Sequence, residues 1–410
     1  MALMAAKRSS TKRARARPKP SRARGKTKAG ARTRAPSNPL AHAADLANRG
    51  DVIGALRAAE AVFAADPRHW QAGHLMSQIL WNIDRRDEAV TVLQSTIESA
   101  PPTAEIQIGL VGSLMELVST AHFGLEKTIA IGERTVERYG PTFALLRGLC
   151  MLHLVRSAPL RALTIAERLV DLYPDSPHAH FILSTSLIAL GRGEDAVVAY
   201  GRGLRPYDAT TGKSAEEIRR QYESLAPAYD ENMLHQSFSE RMAKFVFGLV
   251  GSTLAKRVLD AGCGTGLLGT HLRAARLVGI DQSPDMLTKA RARGIYAELV
   301  EGDLVQAMAA RTDSFDLVAS ACVLYHIADL APFFREAARL LVPGGHLFFS
   351  VDPAPDAMDI GVSSPGEYTH SRRYLRRLAA ETGFTEAAIK IMLHRAYPGF
   401  WCAFRRKAAG

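Results

Sequence analysis

Cysteine is scarce and scattered in this chain: Cys150, Cys263, Cys322 and Cys402 stand far apart, and no two form a CxxC. That spacing excludes a zinc-ligand set and a disulfide framework, so no metal is expected. His178 and His180 likewise lack a second ligand pair at a recognisable spacing. No apolar run approaches the roughly 18 residues that a membrane-spanning helix needs. The N-terminal segment also lacks the apolar stretch of a secretory signal. The expectation is therefore a soluble, cytoplasmic protein without a membrane partner. Acidic residues are missing from positions 1–38, which hold 13 Lys or Arg; the net charge of +11 thus becomes −2 for the remainder. The body is near neutral and the basicity belongs to a tail. Residues 1–38 have too little apolar content to pack and are expected to be disordered. Such a tail reads as a solubilising extension or a misassigned start. An Arg-rich transit peptide and a non-specific electrostatic contact with nucleic acid are the other readings.

What is present divides the 410 residues into two halves, since one ordinary core does not extend over such a length. The first half repeats. Ala55-Leu56 is followed 34 residues later by Ala89-Val90, and Ala162-Leu163 is followed 34 residues later by Ala196-Val197. Pro67, Pro101, Pro141 and Pro174 close successive units, and residues 102–141 look like a stretched unit. Small residues at a fixed period let paired helices approach, and each pair buries its open face on the next. The period resembles the tetratricopeptide (TPR) repeat over residues 40–207, which implies an all-α solenoid whose concave face takes a protein or peptide partner. A plain helical spacer is the alternative. The polar stretch 206–217 marks the domain boundary.

From residue 256 the pattern alternates strand and helix. The apolar run Arg257–Asp260 leads into Ala261-Gly262-Cys263-Gly264-Thr265-Gly266 and a helix over 267–275. Further strands are expected at 276–281, 297–300, 315–320 and 346–351, with a helix over 330–341. Such alternation predicts a doubly wound α/β sheet with its ligand at the strand C-termini. The glycines allow a tight turn and close backbone approach to a ligand. Asp281, ending the next strand, is placed to accept hydrogen bonds from a ribose diol. The turn lacks the GxGxxG spacing of dinucleotide sites. Asp260 at the strand tip suits a methionyl ammonium better than a pyrophosphate.

In order, VLDAGCGTG (258–266), VGID (278–281), EGD (301–303), FDLVASACVLYHI (315–327) and LVPGGHLFFS (341–350) resemble the class I S-adenosyl-L-methionine (SAM)-dependent methyltransferases. The resemblance extends over residues 217–408, with a Rossmann-like fold. Together with the repeats, it is similar to a bacterial group of TPR-containing methyltransferases. It implies that Gly262, Gly264 and Gly266 line the methionine and ribose, that Asp260 meets the amino-acid end, and that Asp281 binds the ribose hydroxyls. Met286, Asp303 and Leu304 would flank the adenine, and Ala319, Ser320 and Ala321 would face the transferred methyl. Tyr325 and His326 are the candidate catalytic residues, with Tyr222, Tyr229 and His370 closing the pocket. The basic run Arg372, Arg373, Arg376 and Arg377 would meet an anionic acceptor or form a solvated face. The resemblance does not set the acceptor; the segment SACVLYHI, with neither an NPPF-type sequence nor a catechol-type metal set, favours small-molecule O- or N-methylation, with a carrier-bound or protein acceptor as the other readings. The competing reading is a TPR scaffold whose SAM-binding domain is a sensor or relic.

Overall fold

The computed structural model describes residues 39–209, 212–364 and 366–408, so the basic segment 1–38 lies outside the described residues. From Pro39–Asn48 to Gly193–Arg202, ten described helices follow one another. Their starts are set by local chemistry: Asp51, Thr142 and Ser176 each accept a first-turn backbone N–H through the side chain, and Pro177 occupies the first turn after Ser176.

The 34-residue spacing is a spacing of equivalent helices. Ala55, Ala89, Ala162 and Ala196 are all fully buried, and each is the fourth residue of its helix (Val52–Ala65, Arg86–Ser99, Pro159–Leu172 and Gly193–Arg202). Between them lies Leu125–Tyr139, whose fourth residue is the fully buried Thr128. The stretched unit has a simple cause. Its first helix, Ala104–Ala121, has 18 residues, where Trp70–Asn82, Phe143–Val155 and Pro177–Ala189 have 13. The apolar core of this half is a chain of local clusters, running from Ala43 to Ala89, Val90 to Leu152, Leu146 to Ile182 and Leu163 to Ala199. Each helix pair is thus buried mainly by its neighbours.

The second half is a mixed sheet. Its strands are β1 (Arg257–Ala261), β2 (Arg276–Asp281), β3 (Glu298–Glu301), β4 (Phe315–Ser320), β5 (Leu341–Ala354), β6 (Ile360–Ser364), β7 (Glu367–Ser371), β8 (Phe384–His394) and β9 (Tyr397–Arg406). The main order is β3-β2-β1-β4-β5-β9-β8, with β1 to β5 parallel and β9 antiparallel to both its neighbours. The 14-residue β5 outruns β9 and pairs at its far end with β7, which in turn pairs with β6. The doubly wound expectation thus describes β1 to β5, while the two C-terminal hairpins lie outside it. The core packs Leu259, Val278, Val318, Leu347 and Phe349 against Phe333, Phe334, Leu340 and Leu378.

The expected boundary at 206–217 begins inside structure. Arg205 and Pro206 pair with Val362 and Gly361, so the chain enters the second half as a sheet edge. The last repeat helix is packed there too. Val197 joins the main sheet core, and the fully buried Tyr200 lies 5.7 Å from the ring of Tyr397.

Candidate active site

The site lies where β1, β2 and β4 end side by side. Gly262, Gly264 and Gly266 all have left-handed backbones, at φ 81°, 54° and 84°, a conformation that side chains disfavour. Beyond φ, each faces a different neighbour. A Cβ on Gly262 would stand 2.4 Å from Val323, and one on Gly266 would stand 2.9 Å from Tyr296. A Cβ on Gly264 would meet nothing within 4 Å, because that position opens onto the cavity. The turn is held in place by the N–H groups of Gly262 and Cys263, both donating to Ile280 O at 2.8 and 2.9 Å.

Asp281 ends β2 with its carboxylate gripped from both sides. Gly264 N–H donates to Oδ2 at 2.8 Å and Ser283 N–H to Oδ1 at 2.9 Å. Burial pushes this carboxyl upward, while the Ser283 and Gly264 amides pull it back. Each oxygen keeps further acceptor capacity on the cavity side. Asp260 is fully buried, and its pKa is pushed up to about 7 by burial, opposed by the Tyr296 hydroxyl that donates to it at 2.7 Å and assisted by the charge of Asp281. Asp303 caps the helix Leu304–Ala309 by accepting from Gln306 N–H at 3.0 Å.

These groups line one end of a cavity of about 480 Å³, with Met286 and Leu304 on its wall. The other end is aromatic and polar, formed by Tyr222, Tyr229, His235, Cys322, Tyr325 and His326. Here the direction of a hydrogen-bonded chain follows from the histidine tautomer. His326 Nδ1 lies 3.2 Å from Gly366 O, and a carbonyl only accepts, so Nδ1 carries the proton. Burial pushes His326 below the usual histidine range, leaving Nε2 as an acceptor. Tyr222 OH donates to that nitrogen at 3.0 Å and accepts from Tyr325 OH at 2.8 Å.

Most sequence-predicted positions therefore converge: Asp260, Gly262, Gly264, Asp281, Met286, Asp303, Leu304, Tyr325 and His326 all line the cavity. Three do not. Gly266 acts through backbone conformation beneath Tyr296 rather than at the wall. Ala319 pairs with Asp260 inside the sheet and packs with Phe348 and Trp401; the wall is made by Ala321 and Cys322, beyond the strand end. His370 is buried away from the cavity, bonded through Nε2 to Ala328 O at 3.0 Å. The basic helix Arg372–Glu381 is not an anion site either, because its four arginines are paired with Glu194, Asp359 and Glu386.

Residues that sequence reasoning missed shape the site as much. Asp230 accepts from Thr265 Oγ1 at 2.5 Å and from Arg293 at 2.6 Å, drawing the segment Ala226–Glu231 over the glycine turn. Arg395 lies 4.0 Å over the Tyr325 ring, with the buried Asp352 2.5 Å from its guanidinium. No local motif marks these residues, since each partner comes from a distant element. Among the described residues, no group of His, Cys, Asp or Glu is arranged to hold a metal, and no helix is long and apolar enough to cross a membrane.

Comparison with known proteins agrees with this geometry. Residues 259–349 match the methyltransferase domain family. A demethylmenaquinone methyltransferase of Tropheryma whipplei is 34% identical over 145 residues, which are 33% of this chain and 59% of that protein. A ubiquinone biosynthesis O-methyltransferase of Xanthomonas oryzae is 37% identical over 113 residues, 26% of this chain and 47% of its own length. This chain thus spans about half the length of the curated relatives it matches. The structure of magnesium protoporphyrin IX methyltransferase from Synechocystis with bound SAH is 18% identical, with a TM-score of 0.40 over 47% of this chain and 100% of that one. The α/β half carries a Rossmann-like methyltransferase domain, and the cofactor of such domains is SAM.

Proposed function

We propose that this chain is a SAM-dependent methyltransferase acting on a small or carrier-bound acceptor, with a TPR-like array that recruits a partner or the carrier. The observation that carries the reading is the open face of Gly264 beside the Asp281 carboxylate. A ligand backbone fits where a Cβ would stand, and Asp281 retains acceptor capacity for a ribose diol. Asp260, poised near neutrality by burial, suits the ammonium of a methionyl group, whose charge would hold it ionised. Met286 and Leu304 would flank the adenine, with Asp303 at its edge.

Bound SAM would supply an activated methyl group on a sulfonium. The protein's own tasks are then alignment and proton handling. Alignment alone is worth roughly 7–11 kcal/mol of a barrier. His326 Nε2, unprotonated and reached through Tyr222, is the group to take a proton from an acceptor hydroxyl or amine, and Tyr325 orients Tyr222. The aromatic acceptor end and the absence of an NPPF-type segment after β4 favour small-molecule O- or N-methylation over protein methylation.

The 34-residue recurrence of buried residues at equivalent helix positions supports the repeat-array reading. The scaffold alternative makes a different prediction. When the full chain is incubated with methyl-labelled SAM and a small-molecule extract, label is expected in the small-molecule fraction and is expected to disappear for Gly264→Val. A wild type that binds SAM yet transfers label to nothing would favour a sensor or scaffold.

A further inference from the structure

At the acceptor end of the cavity stands a second cluster that the relay of Tyr325, Tyr222 and His326 does not use. Cys322 Sγ and Ser350 Oγ each lie 3.2 Å from His394 Nε2, and His394 Nδ1 lies 2.6 Å from Asp352 Oδ1. The arrangement is that of a nucleophile, a base and an orienting acid. His394 and Asp352 are fully buried, while Cys322 is partly exposed on the cavity wall. Cys322 has φ +56°, a rare conformation for a non-glycine residue, at the turn just beyond β4.

We infer that Cys322 is a nucleophile, with His394 and Asp352 as its positioning residues, and that its target is the electrophilic β-carbon of a conjugated carbonyl acceptor. The inference rests on the methyltransferase reading and puts the methyl on carbon in place of oxygen or nitrogen. Burial opposes charge on His394, but its contacts with Cys322 and Asp352 raise the imidazole to about 9. Arg241 and Arg395 add positive charge around the pair, and the hydroxyls of Tyr222, Tyr229 and Tyr325 are neutral.

Two observations separate conjugate addition from acyl transfer. The Cys322 N–H, the natural donor to a tetrahedral oxyanion, already donates to Ser350 Oγ at 3.1 Å. The surrounding wall is aromatic, suited to a flat unsaturated acceptor. In the step, the thiolate electron pair forms a C–S bond to the β-carbon, and the π electrons move onto the carbonyl oxygen as an enolate. With SAM bound, the α-carbon of that enolate would take the sulfonium methyl, the S–CH3 bond electrons remaining on the sulfur. His326 then removes the remaining α-proton through Tyr222, the double bond re-forms, and the C–S bond breaks to return the thiolate. One α-hydrogen has been exchanged for a methyl group and one proton is released.

The test uses the full chain without SAM. Alkylation of Cys322 by iodoacetamide is followed by peptide mass spectrometry from pH 5.5 to 9. A thiol activated by the His394–Asp352 pair is expected to react about tenfold faster at pH 7 than glutathione, of which only about 3% is ionised there. Asp352→Asn, which unseats His394, should bring the rate back to that of glutathione. The second arm incubates the protein with 2-cyclohexen-1-one in heavy water, where reversible addition exchanges the α-hydrogen for deuterium and Cys322→Ser abolishes the exchange. A wild-type rate like that of glutathione overturns the activated thiol, whether or not Asp352→Asn folds. No exchange above Cys322→Ser overturns the acceptor class. Calorimetry of the wild type with S-adenosylhomocysteine separates the two readings: binding with an ordinary thiol removes only this inference, whereas a reactive thiol without binding removes only the methyltransferase.

Discussion

Asp352 shows how much of this site depends on single buried charges. Burial alone would push its carboxyl up, but Arg395 and His394 bring it down to about 2. A depressed carboxylate contributes stability that is present above its unfolded value near 4 and is lost as pH falls through about 2. His394, raised to about 9, contributes below about 6.5 and loses that contribution as pH rises through 9. The contribution of this pair is therefore expected to be flat between about pH 4 and 6.5 and to decline on both sides, as the difference in thermal unfolding between wild type and Asp352→Asn against pH would show. Asp352→Asn should cost about 3 kcal/mol, because it leaves buried cations unpaired. His326 offers a different residue-scale prediction. His326→Ala is expected to lose turnover while keeping SAM affinity, since it touches only the acceptor end. Because its folded pKa is lowered, wild-type turnover should hold to below pH 6.5 on the acid side. Equal turnover in His326→Ala would remove it from the mechanism.

At the scale of elements, the repeat helices make the clearest case. Ala162 is fully buried at a helix crossing, so Ala162→Leu is expected to destabilise the array by about 1–3 kcal/mol, measured by urea unfolding. The alanines at such crossings were legible in the sequence because their period is regular, and so were β1 to β5, whose apolar runs alternate with glycine turns and helices. The third unit was less legible, since Thr128 takes the alanine position and an 18-residue helix shifts the phase. The β8–β9 hairpin escaped because β8 places Glu386 and Lys390 on a half-exposed edge, breaking any apolar run. Within the site, Asp281 and the glycines were readable from local motif, whereas Tyr296, Asp230, Asp352 and His394 were not. Their roles come from tertiary neighbours 35 to 63 positions away, as with Thr265–Asp230 and Arg293–Asp230. The strand Phe315–Ser320 ends where the sequence places it, but Ala319 is still paired inside the sheet and packed on Phe348 and Trp401, so the wall begins only at Ala321.

For the whole molecule, the two halves are joined by more than a linker. Tyr200 is buried against Tyr397, Arg205 and Pro206 extend the sheet edge, and Glu194 pairs with Arg372 across the junction. An exposed ion pair is worth at most about 1 kcal/mol, so Arg372→Ala should leave the junction intact. Tyr200→Ala should instead loosen it, by about 3 kcal/mol, and expose the helix Gly193–Arg202 to protease. The helical half is thus fixed against the α/β half, as the proposed delivery of a carried acceptor requires. All of this depends on the cofactor end working as described. The measurement that tests it most directly is isothermal titration of SAM into the full chain and into Asp281→Ala. The account predicts one-to-one binding that Asp281→Ala weakens at least tenfold, about 1.4 kcal/mol. A well-folded wild type that takes up no SAM would contradict it.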